Sequence, residues 1–114
     1  MPTDDNEALD FRVDRKNLYR EEIFTDLKAC SIKRLTPVKP DGSLDKSRKT
    51  LFVGETTLLH PNGALPIQNV IQAKELQQAV KRFPEAMKTA MERLIEEAKK
   101  IKEQEDSRII VPGR

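Results

Sequence analysis

The chain has a single histidine, His60, and a single cysteine, Cys30, so these are the first residues to weigh for acid–base and nucleophilic chemistry. An imidazole titrates near neutrality. His60, however, opens the stretch His60-Pro61-Asn62-Gly63, whose residue types make a tight turn, and no Ser/Asp partner with a catalytic signature accompanies it. Cys30 would be a nucleophile only if a neighbouring base or positive field lowered its pKa. On an alternating segment it reads instead as a small core residue. Asp41 with Asp45, or Glu21 with Glu22, would work as an acid–base pair only in contrasting environments within one pocket. In stretches this charged they read as solvated surface. Asp41-Gly42-Ser43-Leu44-Asp45 lacks the regular acidic spacing and the terminal bidentate glutamate of a calcium loop. The expectation is a chain with no catalytic, cofactor-binding or metal-binding residues.

Phosphate binding is the other chemistry to consider. Lys33, Arg34 and Lys39, followed by Lys46, Arg48 and Lys49, would contact a polyanion if the fold grouped them on one surface. Phe52 is the only aromatic near them, and Asp41 and Asp45 dilute their charge. Over the whole chain 21 basic and 19 acidic residues nearly cancel, so there is no global drive toward nucleic acid or anionic membranes. Weak nucleic-acid binding without sequence preference is therefore the alternative reading, behind protein interaction.

The elements that must position these residues follow from periodicity. In 114 residues, 37% hydrophobic and 35% charged, there is material for one modest core. Residues 1–16 read as a mobile arm, with Leu9, Phe11 and Val13 able to add as a short strand. Residues 17–106 read as the folded domain and 107–114 as a tail, in which Ile109, Ile110 and Val111 could form an added strand.

Within the domain, strands are expected over Asn17–Leu27, Cys30–Val38, Thr50–His60 and Ala64–Ile71. Pro37, Pro40, Asp41 and Gly42 interrupt pairing and open a long charged loop. The turn at Pro61-Asn62-Gly63 predicts a three-residue hairpin with a bulge. The odd-numbered Leu51, Val53 and Leu59 are expected to share the core face with Leu65, Ile67 and Ile71.

Apolar residues then recur at helical spacing: Leu76, Val80, Phe83, Met87, Ala90, Leu94 and Ile101, with Ala79, Ala86, Met91, Ile95 and Ala98 beside them. Pro84 predicts a break or kink, dividing a short helix over 73–82 from a long one over 84–105. The fold class is α+β: an antiparallel β-meander of about four strands, then a long, Pro84-interrupted amphipathic helix packed on one face.

The lone cysteine, the acidic N-terminus without an apolar signal stretch, and apolar runs far short of a membrane span predict a cytoplasmic protein that does not cross a membrane. The long helix would extend about 33 Å, against about 27 Å for an eight-residue strand. Its distal apolar residues Met91, Leu94, Ile95, Ala98 and Ile101 should therefore overhang the sheet and pair with a second copy. The expected function is a self-associating protein-interaction module, a homodimer without cofactors. Replacing His60 or Cys30 with alanine should accordingly leave self-association unchanged by light scattering, whereas loss of association in a folded variant would give that residue a role in it.

Overall fold

The computed structural model describes residues 10–110, with side chains described through Glu103. Four strands, β1 (Tyr19–Thr25), β2 (Ser31–Pro37), β3 (Leu51–His60) and β4 (Gly63–Ile71), form one antiparallel sheet in the order β1-β2-β3-β4. A single helix, α1 (Leu76–Ile110), follows and packs over β4 and β3, reaches β2, and leaves β1 uncovered. This is the expected α+β meander and helix.

Residues 10–13 form no strand, and Phe11 and Val13 are exposed. The remainder of the expected N-terminal strand, at Leu9, lies outside the described residues. Ser107–Ile110 continue the helix and do not start a strand; Val111 lies outside the described residues.

β1 is shorter than expected because Thr25 and Asp26 end it with side-chain bonds. Asp26 Oδ1 accepts the N–H groups of Lys28, Ala29 and Cys30 at 2.8, 3.1 and 3.2 Å, and Thr25 Oγ1 accepts that of Leu27 at 3.0 Å. Leu27 sits at φ 61°, outside any strand and almost fully exposed. Side-chain acceptors that satisfy the turn's own donors compete with a continued ladder.

The β3–β4 hairpin is in register without a break from Phe52↔Ile71 to His60↔Gly63. The loop is therefore the two residues Pro61 and Asn62, and not three with a bulge. Pro61 holds φ negative, which excludes the mirror-image turns usual for two-residue hairpins. The positive φ falls on Gly63 at 127°, where the absent Cβ removes the steric cost.

That register also corrects the core face. Residues directly opposite share a face, so Phe52, Thr56 and Leu58 stand with Ile71, Ile67 and Leu65. Leu51, Val53 and Leu59 point away from the helix, and Leu59 is 92% exposed. The odd-numbered alternation of β3 was as regular as the even one, and a one-residue slip exchanges every side chain between faces. The helix selects the even face because Phe52 stands on it.

Phe52, only 1% exposed, sits with Ile32, Ile71 and Ala79, and Ala73, Leu76, Phe83 and Ala86 pack around them. Ile67, Met87 and Ala90 are buried farther along. The helix runs antiparallel to β4, since Arg82 donates to the Gln72 carbonyl and Asn69 Nδ2 to the Ala86 carbonyl at 3.1 Å. Its sheet-facing line is buried at Ala79, Met87 and Ala90 and half-buried at Leu76, Phe83 and Ala86; Val80, placed on the stripe by periodicity, is 55% exposed. Ala79 replaces it at the centre because a small side chain lets the helix approach the sheet closely.

Pro84 does not divide the helix. Its missing N–H interrupts the hydrogen-bond ladder at one point, yet the element continues as 35 residues. Phe83, immediately before it, is held on the sheet: a Cβ at Gly54 would lie 2.9 Å from Phe83 Cδ2 and 2.9 Å from Ile71 Cδ1. Gly54 is a strand-interior glycine where another element makes close approach. Gly54→Ala should therefore force both side chains aside and cost about 1–3 kcal/mol, read as a lowered midpoint in chemical denaturation; an unchanged midpoint would show that this contact relaxes freely.

Candidate functional site

Two surfaces were legible as candidates, a basic stretch and the distal helix, and the fold treats them differently. The basic stretch is dispersed. Lys33 stands on the sheet face away from the helix and pairs with Glu55 at 3.7 Å. Arg34 stands on the helix face, where Nε and Nη2 donate to Glu22 at 2.9 and 3.0 Å and the guanidinium lies 5.1 Å from the Phe24 ring centroid. Lys39, Lys46 and Lys49 are exposed.

Arg48 is spent on structure. Its Nη2 donates to the Leu18 carbonyl at 2.8 Å and the Val38 carbonyl at 3.0 Å, while Nε donates to Asp45 Oδ2 at 2.9 Å. The guanidinium centre also lies 4.9 Å from the Tyr19 ring. One side chain thus joins the start of β1, the end of β2 and the long loop. A planar fork of donors suits this task, and a lysine could not reproduce it.

The loop's acids are likewise committed. Asp41 Oδ1 accepts from the Ser43 amide at 3.0 Å and hydroxyl at 2.7 Å, and Asp45 Oδ1 from the Ser47 amide at 3.1 Å and hydroxyl at 2.6 Å. The repeated Asp-x-Ser spacing was the sequence signal for this order. Hydrogen bonds from Ser47, then Arg48, hold the Asp45 carboxyl down to about 2. Asp41 is lowered chiefly by the Ser43 hydroxyl, Glu22 by the Arg34 guanidinium and Asp26 by the amide of Lys28. These shifts stabilise charged forms in turns and ion pairs; none builds an acid–base pair in a cleft.

His60 is exposed, and its Nδ1 accepts the Asn62 amide at 3.1 Å within the hairpin turn. Cys30 is half-buried at the end of the β1–β2 loop. Among the described residues, no three His, Cys, Asp or Glu side chains come together as a metal site. No described helix is long and apolar enough to cross a membrane.

A basic grouping that linear reading missed lies at the helix start. Lys49, Lys74 and Arg82 line one open cleft between the β3 start, the β4 end and the first helical turns. Lys49 is 25 residues before Lys74, so only the chain's return brings it to the other two. Arg82 is already engaged with Gln72.

The distal helix is the larger uncovered feature. Met91 and Leu94 are half-buried, and from Ile95 through Glu103 every residue is exposed, with Ile95 at 48% and Ile101 at 57%. Ala98 lies between them on the same stripe. Over 35 residues the helix extends about 52 Å, against about 33 Å for β3 with 10 residues. The sheet ends before the helix does.

The chain matches no protein-family model, and no curated protein or solved structure is significantly similar to it.

The Asp45 site carries a pH prediction. A carboxyl lowered in the folded state contributes stability that is present above its unfolded value, about 3.9, and lost as pH falls through its folded value. With Asp45 at about 2, melting temperature should drop across the window from about pH 4 to about pH 2. Asp45→Asn should be less stable at neutral pH and show a shallower acid slope in thermal melts; an identical slope would remove Asp45 from the account.

Proposed function

We propose that this chain is a non-enzymatic, cytoplasmic protein-interaction module that self-associates through the distal part of α1. The observation that carries the reading is the helix's apolar stripe, which continues past the sheet through Met91, Leu94, Ile95, Ala98 and Ile101 while its cover stops at Leu94. An apolar stripe left in water is stabilised by burial against another surface.

A second copy fits that surface by charge. Between Met91 and Glu103 the acids Glu92, Glu96, Glu97 and Glu103 are matched by Arg93, Lys99, Lys100 and Lys102. A segment of zero net charge does not repel its own copy, and it offers no bias toward a strongly acidic or basic partner. The sheet occupies the same helix face over Leu76–Leu94, so parallel pairing would drive two sheets into one space. Antiparallel crossing near Ala98 places Ile95 against Ile101 of the other copy and keeps the sheets at opposite ends. Polyanion binding is less well supported, because Arg34, Lys33 and Arg48 are engaged with carboxylates and lie on different surfaces.

Ile95→Glu combined with Ile101→Glu tests this reading. Losing two buried isoleucines per copy, at about 1.5–3 kcal/mol each, should weaken association through the helix by at least about 100-fold. Far-ultraviolet circular dichroism should not change, because both side chains are exposed in the single chain. Sedimentation that shows the wild-type protein monomeric at high concentration, or equal association in the variant, would reject the helix contact.

A further inference from the structure

We propose that the outer edge of β1 pairs antiparallel with the same edge of a second copy, about a two-fold axis at Ile23, extending the four-stranded sheet to eight strands. This surface is separate from the distal helix, and the inference does not depend on the helix contact.

The sheet order leaves β1 and β4 as edges. Edge strands present unpaired N–H and C=O groups, and proteins normally blunt them. β4 is blunted: Pro66 lacks a donor, the helix packs chiefly against it, and Arg82 holds the Gln72 carbonyl just beyond it. β1 has no proline from Tyr19 to Thr25 and, among the described residues, no helix over it.

The direction of the β1 backbone groups follows from two bonds. The Val38 amide donates to the Leu18 carbonyl at 3.0 Å and the Asp26 amide to the Cys30 carbonyl at 3.2 Å. Leu18 and Asp26 therefore face β2, and in an antiparallel ladder such residues alternate. Arg20, Glu22 and Phe24 face inward with them. Tyr19, Glu21, Ile23 and Thr25 direct their N–H and C=O groups outward, along an unbroken edge.

Side chains choose the partner and the register. Outward residues must meet outward residues, so a symmetric pairing turns about a residue and not between two. An axis at Arg20, Glu21 or Glu22 sets that charge against its own copy, and an axis at Phe24 sets Glu22 against Asp26. Like charges directly opposite are destabilising. An axis at Ile23 leaves no such clash: Arg20 meets Asp26, Glu22 meets Phe24, Glu21 meets Thr25 and Ile23 meets Ile23. It also places two exposed apolar side chains of this edge in the contact, Tyr19 at 37% and Ile23 at 58%, with the exposed Leu27 in the turn just beyond it. At the Ile23 register the edge is self-complementary in hydrogen bonding, charge and apolar surface, which is the requirement of an isologous contact.

The experiment uses the full chain with Ile23→Lys and, separately, Ile23→Pro, each alone and combined with Ile95→Glu/Ile101→Glu. Lysine places two ammonium groups together on the axis. Proline removes only an outward N–H, so the intramolecular ladder is untouched. Sedimentation velocity gives mass, and hydrogen exchange follows the Glu21, Ile23 and Thr25 amides. The helix double variant should remain dimeric, with those amides slowed at least about tenfold on concentration, and either Ile23 substitution should return it to a monomer with fast exchange. A helix double variant that is already monomeric, with fast exchange at all three amides, overturns the edge contact while leaving the helix contact standing. A wild-type dimer dissociated by Ile23→Lys but unaffected by the helix substitutions supports the edge and rejects the helix contact. A monomeric wild-type protein rejects both.

Discussion

The contact of Phe83 with the bare backbone of Gly54 is the constraint on which the arrangement of sheet and helix rests. Any side chain at position 54 would meet the Phe83 ring and the end of Ile71 at less than van der Waals distance. With glycine there, the ring lies on β3, Ala79 comes close enough to be fully buried, and Phe52 is sealed beneath the helix. The core is small, and it depends on close approach more than on bulk. The buried helix residues Ala79, Met87 and Ala90 lie on both sides of this contact, and the residues from Ile95 onward are exposed.

A polar device does for the other half of the molecule what this contact does for the core. β1 receives no cover from the helix; beyond its ladder with β2 it is tied to the long loop by Arg48, whose donors reach Leu18, Val38 and Asp45. The Asp41/Ser43 and Asp45/Ser47 pairs order the loop that presents Arg48. β3 and β4 add apolar packing under the helix to their ladder, whereas uncovered β1 adds directional side-chain bonds to its own. That division leaves the β1 edge and the distal helix outside the covered region, and both proposals of self-association arise there.

Much of this was readable from residue order, and the misses share causes. Four strands and a helix follow from alternation and from 3.6-residue recurrence. The hairpin turn follows from Pro61, Asn62 and Gly63, but its loop length needed the register, because a glycine with positive φ serves a two-residue loop as well as a bulged three-residue one. Pro84 argued for two helices by local cost alone. The anchoring of Phe83 on the sheet and the packing of Ala86, Met87 and Ala90 beyond it hold both sides of the proline in one helix, and packing of this kind outweighs one missing bond. The stripe through Ile95, Ala98 and Ile101 was correctly seen to outrun the sheet, since that comparison needs only element lengths.

The sequence by itself determined the order and type of the elements, the places where the chain turns, and the excess of helix over sheet, because each depends on neighbours within a few residues. Tertiary structure alone decided which face of β3 is buried. Leu51, Val53 and Leu59 alternate as regularly as Phe52 and Leu58, and only the helix, drawn to the face where Gly54 leaves room for Phe83, distinguishes them. It also decided the fate of the basic residues. Whether a guanidinium is free for a ligand depends on carboxylates and carbonyls brought to it from distant positions, as Glu22 is to Arg34 and Leu18 to Arg48. Charge can be counted along a chain, but its availability is fixed only when the chain has folded around it.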